Sequence, residues 1–482
     1  MGAARWASPL DAIFLMGETP ETLMHVGSLL QFTYPHGEKR RYLTRLLADI
    51  RTAPIEPPWS LRLQTRMLMH QPVHRWVEDE AFDIDYHVRH SALPAPAGER
   101  ELGVLVSRLH SNPLDFRRPP WEMHVIEGLS GGRFAVYTKI HHSLVDGYTG
   151  ARLLQRGLST DPDDREHPFF FSSRKPPRPA GGPRETEPVG DLASILRSLA
   201  SSVGAAPTVV RTLVGTQLGR GLPGGSGAST TAKAARATKA VTSYQAPDSI
   251  LNQRTGRSRR FATQEYDLAR LRAIAKARNA TLNDVLMAIC AGGLRTWLRD
   301  LDALPERPLI GFVPVNVRAK DSEGGGNSVG ATLVSLATDI DEPLARLAAI
   351  TASSRAAKAR MRGMSADAVI AYSALLLAPA GLQVVRAMTG IPAPIPLTLN
   401  VCISNVPGPQ EHLYWRGARL ESTYPVSIPG HSMALNITAQ SYAGRLDVGF
   451  IGDREALPHL QRLAVRTGEA LDELEAAVAA PA

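Results

Sequence analysis

Residues 137–147, Tyr-Thr-Lys-Ile-His-His-Ser-Leu-Val-Asp-Gly, constrain the fold more than any other stretch of the chain. Over 133–140 apolar residues alternate, as they do in a half-buried strand. From 148 to 158 they recur at helical spacing. His141 and His142 therefore stand where a strand ends and the chain turns, through Asp146 and Gly147, into a helix. A rigid element holds a side chain at such a place while the turn exposes it. Adjacent residues on extended backbone point to opposite faces, so one histidine can face a channel while the other packs inward.

The same alternation of strands and helices recurs on both sides of a compositional break. Residues 26–32 read as a strand, 42–51 and 103–111 as helices, and 122–128 as a strand that turns at Gly131-Gly132 into the histidine strand. Residues 61–76 show no clear periodicity. The break falls at 165–256, where Pro176, Pro177, Pro179, Pro183 and Pro188 favour an extended linker. Within it Lys233, Arg236 and Lys239 share one helical face, which reads as solvated surface or as a patch for anionic lipid headgroups. Past the break, 268–278 and 285–298 read as helices, the second capped by Thr281-Leu282-Asn283-Asp284. Strands follow at 309–317, 332–336 and 397–404, with Gly324 to Asn327 a flexible loop. Helices are expected at 344–360 and 367–377, a hairpin through Gly444, and a closing helix at 457–479. The expected organisation is an N-terminal unit at 1–164, a linker at 165–256 and a C-terminal unit at 257–482, each unit an α/β sandwich.

Composition sets the outer limits. The chain has 482 residues, 44% hydrophobic and 21% charged, which suits globular domains and argues against global disorder. A net charge of +8 suggests anionic partners. Without zinc-finger spacing, an RNP-type motif or a dense basic helix, nucleic acid is not expected among them. Cys290 and Cys402 are the only cysteines, as fits a reducing compartment. Arg5, Pro9 and Asp11 interrupt the N-terminus, which does not read as a signal peptide, and no apolar run is long enough to span a bilayer. The expected location is the cytoplasm, with any membrane contact peripheral.

A histidine is the usual general base near neutral pH. Two adjacent ones at a strand end also suit a plain structural role, and Asp-Gly is a common turn. Asp146 could cap the following helix or pair with an arginine, and Gly147 permits a tight turn. A metal site is not expected, because helical metal-binding histidines stand four residues apart and no Cys or Glu ligand converges here.

His141 to Gly147 fits the HHxxxDG signature of the coenzyme A-dependent acyltransferase superfamily, which includes chloramphenicol acetyltransferase-like enzymes and condensation domains. Further ordered segments narrow the resemblance. Ser8-Pro9-Leu10-Asp11 through Met24-His25-Val26-Gly27 resembles the start of bacterial wax ester synthase/diacylglycerol acyltransferases. Residues 120–129, Pro-Trp-Glu-Met-His-Val-Ile-Glu-Gly-Leu, resemble that family's PLWxxxxxxGL segment, with Pro120 in place of Leu. Asn283-Asp284-Val285 matches its NDV segment, and Ser404-Asn405-Val406-Pro407-Gly408-Pro409 its SNVPGP segment. The resemblance runs from about residue 8 to about residue 475 and is weakest over the linker.

The resemblance implies two chloramphenicol acetyltransferase-like sandwich domains joined by a long crossover, with the active-site channel between them. It implies acyl-CoA as co-substrate, no bound cofactor or metal, and diacylglycerol or a long-chain alcohol as acceptor. His142 would be the general base, with His141 and Asp146 holding geometry and Arg318 a partner for Asp146. Gly147, Asn283, Asp284, Ser404 and Asn405 would support the site, although capping explains Asn283 and Asp284 as well, and a Pro/Gly-locked turn explains residues 404–409. The apolar stretch 366–377 reads as core before acyl-chain wall. Two other readings stay open: a condensation-type enzyme acting on a non-lipid acceptor, against which the lack of a carrier-protein domain counts, and a catalytically silent lipid-binding paralogue.

Overall fold

The histidine strand, Arg133–His141, lies inside a six-stranded sheet. In order the sheet runs Tyr414–Trp415, Ala418–Val426, His25–Thr33, Arg133–His141, Trp121–Leu129 and Val88–Ala92. The computed structural model describes residues 5–7, 9–68, 71–95, 97–145, 147–172, 241–316, 329–377, 379–389 and 397–480. Asp146, Arg318, the proline run, the Lys233 face and the Gly324 loop lie outside the described residues.

Alternation divides the histidine strand as its sequence requires. Phe134, Val136 and Ile140 join an aromatic core with Tyr42, Leu46, Trp59 and Trp121, beneath the helix Lys39–Thr52. Tyr137, Lys139 and His141 take the opposite face, which the helix Glu99–His110 covers. Gly131 and Gly132 both have positive φ, +73° and +67°, as the hairpin turn before this strand demands.

A second six-stranded sheet runs Val329–Ser335, Ile310–Asn316, Val401–Val406, Leu435–Tyr442, Arg445–Asp453 and Arg259–Asp267. The helices Leu268–Ala277, Leu282–Asp300, Pro343–Met361 and Leu460–Ala479 share one buried cluster with it. The helix Ala366–Leu377 packs through Val369, Tyr372 and Leu376 on a smaller cluster with Ile310 and Leu333, so the core reading of that segment holds. The result is a mixed α/β fold of two sheet-centred units.

Three features depart from the boundaries expected from sequence. Ala418–Val426 pairs antiparallel with His25–Thr33, so the C-terminal half contributes strands to the N-terminal sheet. Phe169, Phe170 and Phe171 are buried in the first core and Leu251 in the second. Both ends of the expected linker therefore belong to folded units, since apolar area at those positions is worth more inside than in water. Residues 61–76, aperiodic in sequence, form most of a hairpin of Leu61–Leu68 and Gln71–Glu78, extended by Arg5–Trp6.

Candidate active site

The pairing of His25 with His141 across two neighbouring strands fixes the site. One residue on, the His142 amide donates to the Met24 carbonyl at 2.9 Å, so the turn leaves the sheet at a set angle. His141 is buried and His142 half-buried, the division expected of adjacent residues on extended backbone. The chain then turns through Ser143 and Leu144, and Gly147 opens the helix Gly147–Gln155.

The two histidines have different surroundings. The Ser143 amide donates to His141 Nδ1 at 3.2 Å. The lone pair is therefore on Nδ1 and the proton of the neutral ring on Nε2. Nε2 lies 3.4 Å from Glu18 Oε2, and the same carboxylate oxygen accepts the Met24 amide. Phe116 packs edge-on against the His141 ring. His142 instead stacks on Phe14, with centroids 3.9 Å apart. Phe14 lies on the helix Pro9–Gly17 and Glu18 directly follows it. One N-terminal element thus reaches both histidines. Neither residue stands out by periodicity, although both fall inside the N-terminal segment that carries the family resemblance.

Behind His141 lies a layer of buried polar groups. His25 Nε2 donates to the His110 carbonyl at 3.0 Å. His110 Nε2 donates to the Ser427 carbonyl at 3.1 Å, so its Nδ1 is the acceptor for the Tyr137 hydroxyl at 2.7 Å. Burial pushes the His110 imidazole down to about 3 and holds His25 well below its ordinary range. Both stay neutral and act as ties between elements. Lys139, fully buried, places Nζ 3.3 Å from Glu122 and donates to the carbonyls of Leu109 and Asn112. Burial alone would raise the Glu122 carboxyl; the hydrogen bond from His124 and the charges of Lys139 and Arg89 outweigh it and bring it to about 2. This layer fixes the strand that presents the histidines.

The remaining expected residues fall in two places. Thr281 is the N-cap of Leu282–Asp300, and Asp284 closes the capping box by accepting the Thr281 amide at 2.9 Å. Asn283 is half-buried in the first turn. Capping accounts for Asp284, and this helix packs into the second unit's core. Ser404 and Asn405 lie on Val401–Val406, beside Thr438 and Ala439 of the parallel strand. On its other side this strand is in register with Ile310–Asn316 only at Val401 and Cys402, so Ser404 and Asn405 lie beyond that pairing. Past them Pro409 meets Leu154 and Leu158, at and just after the end of the post-histidine helix, across a narrow, mainly apolar crevice that also touches Leu30 and Gln440. The turn after the SNVPGP segment and the helix after the histidines are thereby brought face to face from opposite units.

No group of three metal-ligating side chains converges among the described residues. Cys290 and Cys402 are buried and free, and burial pushes both thiols up to about 12. Neither has the character of an activated nucleophile. The site offers a half-exposed imidazole, a second imidazole held in one tautomer, and an apolar crevice close to the helix that follows them.

The fold of two sheet-centred units is shared with condensation domains. The first condensation domain of the CDA synthetase is similar over 100% of this chain and 97% of that one, with a TM-score of 0.56 at 17% identity. Residues 7–286 match the wax ester synthase/diacylglycerol acyltransferase catalytic domain, and residues 325–475 the C-terminal domain of that family. The chain belongs to the wax ester synthase/diacylglycerol acyltransferase family. A putative diacylglycerol O-acyltransferase of Mycobacterium tuberculosis is 51% identical over 98% of both chains. The O-acyltransferase WSD of Acinetobacter baylyi is 40% identical over 98% of this chain and 97% of its own. The solved wax ester synthase/diacylglycerol acyltransferase of Marinobacter aquaeolei VT8 is 37% identical, with a TM-score of 0.75 over 98% of this chain and all of that one.

Proposed function

We propose that the protein is an acyl-CoA-dependent O-acyltransferase that moves a fatty acyl group onto diacylglycerol or a long-chain alcohol, giving triacylglycerol or wax ester and free coenzyme A. The observation that carries this reading is the placement of His142, half-exposed on a turn whose backbone is fixed to Met24, within a chain that matches the family along nearly its whole length. His142 takes the proton from the acceptor hydroxyl as its oxygen attacks the thioester carbonyl. The tetrahedral intermediate collapses with loss of the coenzyme A thiolate, which recovers the proton from His142. A thioester is already activated, so no acyl-enzyme is required, and the two buried thiols fit that economy. Asp146, paired with Arg318, would hold the loop, and Gly147 would let it turn. Asn283, Asp284, Ser404 and Asn405 would shape the channel from the second unit.

Acyl chains need apolar surroundings, and Leu30, Leu154, Leu158 and Leu413 line a narrow crevice at the junction of the units that would have to widen to admit one. No helix among the described residues is long and apolar enough to cross a membrane. Leu375, Val384 and Met388 stand exposed on the neighbouring helices Ala366–Leu377 and Ala380–Thr389, which supports peripheral contact with a lipid surface. Incubation with labelled palmitoyl-CoA and either diacylglycerol or hexadecanol, read by lipid separation, tests the activity and ranks the acceptors. His142→Ala is expected to lower turnover by a factor on the order of 10²–10⁴ with the fold intact. Full activity in that variant would overturn the mechanism. Lipid binding without turnover on any acceptor would overturn the assignment as an enzyme.

A further inference from the structure

On the same sheet face as His141, but at the far end of the strands, the two units leave a cleft of about 1180 Å³. Its walls come from His25–Thr33, Ala418–Val426 and Glu99–His110 on one side, and from Arg259–Asp267 and the start of Leu460–Ala479 on the other. Six arginines and three glutamates line it, with no lysine or aspartate. The glutamates are already engaged: Glu99 with Arg133 at 3.0 Å, Glu421 with Arg419 at 2.9 Å and Glu265 with Arg445 at 3.3 Å. Arg100, Arg260 and Arg462 have no carboxylate within ion-pair distance among the described residues. Arg100 belongs to the first unit, and Arg260 and Arg462 to the second. Three guanidiniums with no ion-pair partner among the described residues thus line one cleft from two units, and the guanidinium fork matches phosphate oxygens.

Other features of the cleft agree with that charge. The helix Leu460–Ala479 begins here, and its N-cap, His459, supplies no side-chain cap, so its first amides add positive potential to the same space. Val104 and Val465, exposed at 58% and 54%, also line the cleft, giving apolar surface beside the cations. The cleft reaches along the sheet only to Leu29. Between Leu29 and His141 the sheet face is filled by buried Tyr137, His110 and His25. None of the residues from Lys139 to His142 lines the cleft, which sets this feature apart from the histidine site.

We infer that this cleft is a second ligand site, built to hold a phosphate-bearing anion between the two units through Arg100, Arg260 and Arg462. The phosphate belongs either to a lipid headgroup or to a soluble molecule, and both present the same oxygens to the three arginines.

The test uses the full chain and reads binding, so it does not depend on acyl transfer. Inorganic pyrophosphate is titrated by calorimetry and by thermal-shift assay. In parallel, flotation is measured with vesicles of phosphatidylglycerol and phosphatidylcholine, and with phosphatidylcholine alone. Saturable pyrophosphate binding, weakened at least tenfold in R100Q/R260Q/R462Q and retained in H142A, supports the site with a soluble ligand. Flotation that requires phosphatidylglycerol and is lost in the same triple variant supports it with a lipid headgroup. The single variants R100Q and R462Q, both on exposed side chains, each show a smaller loss and serve if the triple variant does not fold. The inference is overturned if no probe binds saturably, or if the arginine variants bind as the parent does.

Discussion

The Glu18 carboxylate lies beside the one polar hydrogen of the buried His141 ring, the Nε2 proton left once Nδ1 has accepted the Ser143 amide. It also accepts the Met24 amide, and Met24 in turn accepts the amide of His142. With one carboxylate Glu18 therefore faces His141 Nε2 and braces the backbone that carries His142. It touches neither substrate nor base, so it is a positioning residue. Glu18→Ala is expected to lower kcat by a factor on the order of 10–10², the scale of a base displaced by a fraction of an ångström to about one ångström. KM for acyl-CoA should change little, and Glu18→Gln, which keeps an acceptor oxygen, should recover part of the loss. Initial rates against acyl-CoA concentration separate the two constants, and wild-type kcat in Glu18→Ala would refute the role. The strand end that carries the two histidines was legible from sequence because its signal is local: alternation, an abrupt polar pair, then helical spacing within about twenty residues. The choice of His142 over His141 came instead from the family resemblance. Glu18 was not legible, because its partner lies 123 positions away along the chain, at His141, and only the pairing of His25 with His141 brings them together.

Elements with one clear period were legible to within a few residues, as with Leu282–Asp300 and Pro343–Met361. The ones missed lacked a period or took partners far off in sequence. Ala418–Val426 alternates only over Ala418 to Glu421. Past the register shift between Leu420 and Ser422, Ser422, Thr423 and Tyr424 are all buried, so polar residues sit inside and the alternation is lost. The SNVPGP segment was legible as a Pro/Gly turn, and its packing shows why the glycine is there. A Cβ on Gly408 would lie 2.1 Å from the Ser441 carbonyl oxygen, and the Gly408 amide donates to the Ser441 hydroxyl at 3.1 Å. The obstacle is backbone and cannot rotate away. Gly408→Ala is expected to destabilise the protein by about 1–3 kcal/mol, the usual cost of forcing atoms into filled space, seen as a lower denaturation midpoint. An unchanged midpoint would show that the two turns can part freely, and would remove the structural case for the segment's shape.

At the scale of the molecule, the exchanged strand Ala418–Val426 joins the two units. It pairs with His25–Thr33 in the first sheet, while its backbone also meets the second. A Cβ on Gly449 would lie 1.9 Å from the Pro425 carbonyl oxygen, a measure of how closely the strands cross. Beside that crossing, Asp447 Oδ2 accepts the Thr423 amide at 2.7 Å, and Oδ1 is buried with no hydrogen-bond partner. Burial pushes the Asp447 carboxyl up to about 7, against the opposing pull of the Thr423 amide and Arg445. The sign follows from linkage. The folded chain holds this proton more tightly than the unfolded one, whose aspartate titrates near 3.8. The stabilisation is complete below that lower value, falls as pH rises from about 4 to about 7, and is absent above. A tenfold difference in proton affinity between folded and unfolded chain is worth about 1.4 kcal/mol, so the junction loses on the order of a few kcal/mol across this window. Asp447→Asn stays neutral at every pH and keeps an acceptor for the Thr423 amide. Thermal midpoints at pH 5, 6, 7 and 8 should fall in the parent relative to this variant, with the gap widest at pH 8. Parallel curves would mean that Asp447 is ionised in the fold and that water or a neighbour reaches Oδ1. The result bears on turnover as well, since the crevice between Leu154 and Pro409 is formed by both units and lined by Thr423, whose amide Asp447 holds.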